Sequence, residues 1–416
     1  MIGTDLHAEP RPEKRIAGLS DRVLREAVLT RLAGLRGGQL SIEDPWGTVV
    51  LGAATGALPV HAAIRVYDAR AYRAIAWSGS VGAAESYIDG CWGCDELVAL
   101  VRLLVRNRDL LDSMERGAAR LRGWAMRVWH VLKRNTRRGS RGNIAAHYDL
   151  GNEFFSLFLS DDLMYSSALW GGPDDTLERA STRKLDVICR KLRLAPGDRV
   201  VEIGTGWGGF ALHAATHYGC RVTTATISRE QYALASERVA RAGLSERIRV
   251  LLTDYRELTG QYEKLASIEM IEAVGAEYLD TYFGKLSALL APGGLALIQA
   301  ITIEDHRYRQ ALHSVDFIKR HIFPGSFIPS IRAMLEAKCR ASRLNLIECR
   351  DFGLSYARTL ESWRERFNAH LPRVRALGFD ERFVRLWNFY LAYCEGGFRE
   401  KAIGVAHLLL EQAAQP

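Results

Sequence analysis

Along residues 196–301 the apolar positions fall into short runs separated by longer amphipathic stretches. Residues 199–203 predict a buried strand, 208–218 a helix, 221–226 a second strand and 229–242 an amphipathic helix. Two more strands follow at 247–252 and 265–270, then a helix at 277–290 and a strand at 294–301. Strands separated by helices of this length predict an α/β fold, a doubly wound parallel sheet with right-handed crossovers. Residues 24–129 read differently, with helical stretches mixed with glycine-punctuated, strand-like ones at 47–51 and 62–67. They predict a smaller N-terminal α+β domain. Two uncharged runs, 46–64 and 286–303, are interrupted by Gly47, Gly52, Gly56 and Pro59 and by Pro292-Gly293-Gly294, so both read as element, turn, element rather than as membrane spans.

Charge adds a partner class. The chain carries 56 Lys and Arg against 48 Asp and Glu, a net charge of +8 that favours an anionic partner. Five cations and two glycines without an apolar residue mark residues 133–142 as an exposed linker. The expected organisation is therefore a lipid-facing domain at 1–130, a basic linker at 131–143 and a catalytic domain at 144–416. With Trp124 and Trp129 just upstream, the linker reads equally as a dock for anionic lipid and as a solvated tether. Seven scattered cysteines argue against a disulfide framework, and Cys91 and Cys94, the one close pair, lack the partners of a zinc site. No metal is expected. The first fifteen residues have no apolar core of a secretory signal, which predicts a cytoplasmic protein.

The candidate chemistry begins where the first strand of the parallel sheet meets its helix. Glu202-Ile203-Gly204-Thr205-Gly206-Trp207-Gly208-Gly209 is a turn whose glycines let backbone approach a ligand and whose helix N-terminus offers free N–H groups. No Gly-Lys-Ser/Thr is present for a triphosphate, and the second strand ends at Thr226-Ile227-Ser228 without the acidic residue of a nicotinamide site. Glu202 and the pair Asp254-Tyr255 stand where methyltransferases hold the two ends of S-adenosylmethionine. The Asn/Asp-Pro-Pro-Tyr type motif of base methylation is absent, so no nucleic-acid partner is expected.

From about residue 79 onward the chain resembles the cyclopropane-fatty-acid synthase family, which includes the mycolic-acid cyclopropane synthases. The resemblance rests on Gly79-Ser80-Val81-Gly82 with Glu85-Ser86-Tyr87, His147-Tyr148-Asp149-Leu150-Gly151-Asn152, Tyr165-Ser166, the glycine turn, Thr226-Ile227-Ser228 with Gln231, Glu272-Ala273-Val274-Gly275, Ile322-Phe323-Pro324-Gly325 and Tyr356-Ala357-Arg358-Thr359-Leu360. It implies a class I methyltransferase fold with a seven-stranded sheet and a helical lid at 304–343. It also implies that Tyr165, Ser166, Gly204, Gly206 and Gly208 contact the cofactor, that Thr226, Ser228 and Gln231 serve its ribose, and that Tyr255 and Arg256 flank its adenine. The implied reaction is attack by the double bond of a phospholipid acyl chain on the sulfonium methyl, followed by proton loss. It implies a peripheral membrane enzyme and a homodimer. Such chemistry needs an apolar, aromatic tunnel, for which Phe317, Phe323, Phe327, Trp363, Phe367, Trp387, Phe389 and Tyr390 are candidates, more than half of them expected to be plain core.

The family holds a bicarbonate ion as base with a cysteine, a glutamate, a histidine, a tyrosine and backbone at an isoleucine. Here Glu272, Tyr356 and Ile301 stand at those positions, but Ser167 replaces the cysteine, Gln299 the histidine, and Ala273 follows the glutamate. Neither Ser nor Gln carries positive charge, so bicarbonate is expected to bind less tightly. Glu272 then becomes a candidate base, and the expected product shifts from a cyclopropane toward a methyl-branched or methyl-unsaturated chain. Cys394 occupies a position sometimes assigned as nucleophilic and is read as structural or substrate-adjacent. A small-molecule methyltransferase and a catalytically inactive lipid-binding homologue remain open as alternatives.

Overall fold

The computed structural model describes residues 18–53, 58–115 and 150–414. The chain forms two compact units, one made by the N-terminal part together with Phe379–Gly396, the other by the rest of the described chain. The linker at 131–143, Trp124, Trp129 and His147 to Asp149 lie outside the described residues.

The first unit is built from α1 (Leu19–Leu32), β1 (Gly38–Asp44), β2 (Gly47–Leu51), β3 (Val60–Val66), α2 (Arg70–Ile88), β4 (Trp92–Cys94), α3 (Leu97–Arg106) and α4 (Arg108–Glu115). Its four strands run in the order β2-β1-β3-β4, with β1 and β3 parallel. Alternate residues of β1 are buried, Leu40 and Ile42 among them, as a sheet covered on one face requires. The Gly79–Gly82 motif has a structural explanation: Gly79 kinks α2 at φ 56°, and a Cβ on Gly82 would lie 1.9 Å from the carbonyl oxygen of Ala74. The sequence reading assigned Phe379–Gly396 to the catalytic part, whereas its contacts place it here. Arg385 lies over the ring of Tyr87 at 4.2 Å, Phe389 packs on the same ring at 5.5 Å, and Gly396 leaves no room for a Cβ against Val101.

The second unit contains α5 (Asn152–Ser156), α6 (Leu177–Lys191), β5 (Arg199–Ile203), α7 (Gly209–Tyr218), β6 (Arg221–Thr226), α8 (Arg229–Arg241), β7 (Ile248–Leu252), β8 (Tyr262–Ile268), α9 (Leu279–Leu289) and β9 (Leu290–Ile303). After these come α10 (Asp305–His313), a π-helical turn (Ile318–Ile322), α11 (Ile331–Ala341), β10 (Leu344–Asp351), α12 (Gly353–Ala369), α13 (Leu371–Ala376), α14 (Glu381–Arg399, most of it in the first unit) and β11 (Ile403–Gln412). Its seven strands are ordered β10-β11-β9-β8-β5-β6-β7, parallel except for β11, which runs antiparallel to both β9 and β10. The expected α/β fold with a seven-stranded, doubly wound sheet is thus observed. Strand order reverses between β5 and β8, and a ligand site in such a sheet lies at the carboxyl ends of the strands at that point.

Two expectations change in detail. Pro292-Gly293-Gly294 does not separate α9 from β9 but forms a bulge inside β9, where Tyr262 pairs with Leu290 and Lys264 already with Leu295. The 304–343 stretch is helical as expected, yet its last helix belongs to the body of the unit. Met334 and Ala337 of α11 are completely buried in the cluster that contains Phe283 and Leu286 of α9.

Candidate active site

The cofactor turn folds for reasons visible in its residues. Val200, Val201 and Ile203 are buried on β5, and the chain then turns through Gly204, Gly206 and Gly208 with φ of 95°, 52° and 87°, a region open to glycine at little cost. Around Gly206 nothing lies within 4 Å of where a Cβ would stand, so the cradle is open, whereas at Gly209 a Cβ would lie 2.6 Å from the sulfur of Met164. Trp207 is buried and donates from Nε1 to Asn152 (2.7 Å), which ties the turn to α5. Two polar atoms near the strand ends are buried without a hydrogen-bond partner: Oε2 of Glu202 and the hydroxyl of Tyr255. Burial pushes the Glu202 carboxyl up to about 8.

The segment from Thr226 to Gln231 is organised as a helix cap. The Thr226 hydroxyl donates to Oε1 of Gln231 (2.8 Å), and the Ser228 hydroxyl accepts from the Gln231 amide (3.3 Å) at the start of α8. Asp254 is buried and held by Arg256 in a two-pronged ion pair of 2.8 and 2.6 Å, while the same guanidinium lies over the rings of Tyr255 and Tyr278. These contacts fix Tyr255 edge-on to Tyr282, ring centres 5.9 Å apart.

Beyond β8 the structure adds a carboxylate, Glu269, to residues that the family resemblance had already grouped. Glu269, the residue after β8, is half-buried and adopts φ 47°, a left-handed conformation uncommon for a side-chain-bearing residue. Its Oε1 accepts from the Ser167 backbone amide (2.9 Å) and from Nε2 of Gln299 (2.8 Å), and its Oε2 accepts from the Tyr356 hydroxyl (2.8 Å). Three of the five residues named as anion ligands thus converge on a protein carboxylate. Ser167 does so through its amide, since its hydroxyl donates to the carbonyl oxygen of Ala168. Gln299 is oriented from behind by His407 of the neighbouring strand β11, whose Nε2 lies 2.9 Å from Oε1 of Gln299. Because that oxygen can only accept, His407 donates there. Burial pushes its pKa down to about 3, so it is neutral at physiological pH.

Glu272 lies three residues further on. Its Oε1 accepts from the Ile301 amide (2.6 Å), and its Oε2 is buried without a partner. Desolvation first, and the nearby Glu269 second, push it up to about 8, so it is protonated at neutral pH. Burial is the largest effect on Glu269 and leaves it above the ordinary carboxylate range, although its three donors and the buried Lys184 pull in the opposite direction. Lys184 is wholly buried on α6 and donates to the Ser166 hydroxyl at 2.7 Å.

An aromatic wall stands beside this cluster. Tyr165 stacks on Trp363 (5.2 Å between ring centres, 29° between planes), Tyr356 meets Trp363 edge-on at 6.1 Å, and Phe323 lies 6.5 Å from Tyr165. Phe367 instead packs on Phe154 and Phe158, and Phe327 belongs to the main core, so both are structural. Helix α12 seats the strip that carries Ser167: the Thr359 hydroxyl accepts from the Ala168 amide and from Nε1 of Trp170, and Arg358 lies 3.9 Å over the Trp170 ring. Cys394, Trp387, Phe389 and Tyr390 fall in the Phe379–Gly396 segment of the first unit. Among the described residues no group of His, Cys, Asp or Glu is arranged to hold a metal ion.

These residues fit S-adenosylmethionine. The open glycine turn leaves room that the amino-acid portion would occupy, and the two orphaned polar atoms, Glu202 Oε2 and the Tyr255 hydroxyl, would be available to an ammonium group and a polar adenine edge. They do not fit bicarbonate. The donors that would hold it, the Ser167 and Ile301 amides, Gln299 and Tyr356, are already used by Glu269 and Glu272.

Comparison with known proteins agrees. Residues 135–408 match the family model described as mycolic acid cyclopropane synthetase. The chain is 38% identical over 375 residues to the tuberculostearic acid methyltransferase UfaA1 of Mycobacterium tuberculosis, covering 88% of this chain and 87% of the relative. It is 35% identical over 361 residues to the cyclopropane-fatty-acyl-phospholipid synthase of Escherichia coli, covering 85% and 88%. The solved mycolic acid cyclopropane synthase CmaA1 complexed with SAH and CTAB superimposes with a TM-score of 0.61 at 29% identity, over 65% of this chain and 98% of that one. With the family match spanning most of the chain and the cofactor turn in place, the protein belongs to the mycolic acid cyclopropane synthetase family and is an S-adenosylmethionine-dependent methyltransferase.

Proposed function

We propose that the enzyme methylates a carbon of the double bond in an unsaturated acyl chain of a phospholipid, and that its product is a methyl-branched or methyl-unsaturated chain rather than a cyclopropane. The observation that carries this reading is the hydrogen-bonded carboxyl pair Glu269 and Glu272 beside the Tyr165–Trp363 wall. S-adenosylmethionine, when bound, supplies a methyl group on a sulfonium for the alkene to attack. The protein's part is to hold the cofactor at the glycine turn, to exclude water with buried aromatic rings, and to take up a proton. The faces of Tyr165 and Trp363 stabilise positive charge in an apolar setting by roughly 0.5–2 kcal/mol each.

Residues of the first unit support a peripheral position on the cytoplasmic face of a membrane. Helices α1 and α2, joined by the ion pair of Asp21 with Arg73, expose Leu19, Val23 and Trp77, and Val50 and Leu58 are exposed in the same unit. Among the described residues no helix is long and apolar enough to cross a membrane. The net charge of +8 suits anionic headgroups. A homodimer is part of the same proposal, to be checked by light scattering.

Cells expressing the protein and fed methionine with a trideuterated methyl group test the reading. Lipid that retains all three deuterons in a methyl-alkene supports proton loss from a chain carbon. Two deuterons in a species that co-elutes with a cyclopropane standard would overturn the product assignment. Absence of label from lipid would overturn the substrate.

A further inference from the structure

We infer that the Glu269 carboxylate is the catalytic base of this enzyme and occupies the place where relatives would need a dissolved anion, so that the enzyme works without bicarbonate. The inference rests on the proposed methyl transfer to an alkene. Its support is geometric. Glu269 directly follows β8 at the point where the strand order reverses, next to Met270, whose side chain packs against Gly204 of the cofactor turn; a Cβ on that glycine would lie 3.1 Å from Met270 Cγ. Both carboxylate oxygens are fixed by three neutral donors from three separate segments: the strip at Ser167, β9 through Gln299 and α12 through Tyr356. A residue other than glycine at φ 47° costs on the order of 1 kcal/mol, and the carboxylate is what the chain obtains for it. Glu272, three residues further on, accepts from the Ile301 amide on β9.

The proposed step balances. The alkene π pair forms a carbon–carbon bond to the methyl group as the carbon–sulfur bond breaks, and S-adenosylhomocysteine leaves with that electron pair. The cation left on the other alkene carbon loses a proton to Glu269, and the freed C–H pair closes a new double bond. Glu269 then returns the proton to solvent. No oxidant or reductant takes part, so the immediate product is unsaturated, and conversion to a saturated branch falls to a separate reductive reaction.

The test uses the full chain with phospholipid vesicles containing monounsaturated acyl chains, in buffer freed of carbon dioxide and then with bicarbonate added. Wild-type turnover should be the same in both. Glu269→Gln, which keeps the volume but cannot take a proton, should fall at least a hundredfold, the lower range for a general base. Glu269→Gly, which relaxes the left-handed backbone and vacates the donors, should lose as much in carbon-dioxide-free buffer and recover at least tenfold with added bicarbonate or formate. Titration with ¹³C-bicarbonate followed by NMR reads occupancy independently of turnover: the glycine variant should bind it and the wild type should not. S-adenosylhomocysteine affinity by calorimetry should stay within threefold in both variants, which separates loss of the base from loss of the fold. Wild-type activity that needs bicarbonate, bicarbonate binding to the wild type, or a glutamine variant with wild-type turnover would each overturn the inference. A wild type that labels no lipid but binds no bicarbonate, beside a glycine variant that does, would sink the substrate reading while upholding Glu269's occupancy of the anion site.

Discussion

Strands β5 and β8 are neighbours in one sheet, and each passes at its carboxyl end into left-handed backbone, at Gly204 after β5 and at Glu269 after β8. On the β5 side every such position is glycine, because the turn must let a ligand approach the main chain and a side chain would stand in the way. On the β8 side the same kind of conformation carries a glutamate whose side chain is the point of the turn. The difference shows that a strained residue at a strand end can be kept for what its side chain does, whereas an unstrained glycine is kept for what it leaves open.

Substitutions that exchange these roles test the comparison. The largest effect is expected from the Glu269 variants, a loss of at least a hundredfold in turnover with cofactor affinity preserved. Gly204→Ala should do the opposite. At φ 95° and against Met270 it should weaken S-adenosylhomocysteine binding by about tenfold to thirtyfold, roughly 1.4–2 kcal/mol measured by calorimetry, and affect turnover at saturating cofactor far less.

Tyr356→Phe removes one donor from Glu269. Because that donor favours the ionised form, its loss should raise the pKa of the base, move the acidic limb of the rate profile to higher pH and slow the reaction about tenfold near neutrality. His407 acts on stability rather than on turnover. Its folded pKa of about 3 lies below the unfolded value near 6.5, so its contribution is intact above pH 6.5 and is lost as pH falls toward 3, by about 1.4 kcal/mol per unit. Chemical denaturation of wild type and His407→Gln between pH 6.5 and 4.5 should show a flatter pH dependence in the variant.

The glycine turn and its strands were legible because their signals are local. Apolar runs set β5 and β6 to the residue, and the glycine spacing located the turn between β5 and α7. Sequence reasoning missed Glu269 because residues 265–270 read as one strand, and the family motif points to Glu272. An acidic residue directly after the apolar run 265–268, at the carboxyl end of a parallel strand, was the available signal. Lys184 was hidden for another reason, since a lysine on an amphipathic helix normally faces solvent, and only its pairing with Ser166 explains its burial. His407 was out of reach because β11 joins the sheet antiparallel through contacts far apart in sequence, and nothing local joins it to Gln299. The cysteine and histidine that the family motif calls for are absent from the sequence, but only the folded chain reveals that an acidic side chain has taken up the donors they would have shared.

A group fastened to the chain by three hydrogen bonds has an effective concentration set by geometry, which for well-aligned groups reaches on the order of 10⁵ M or more. A freely diffusing anion instead fills its site only as far as its level in the surroundings permits. Fixing the carboxylate on β8 therefore makes turnover indifferent to the supply of inorganic carbon, so that growth in high or low carbon dioxide should leave the degree of lipid methylation unchanged.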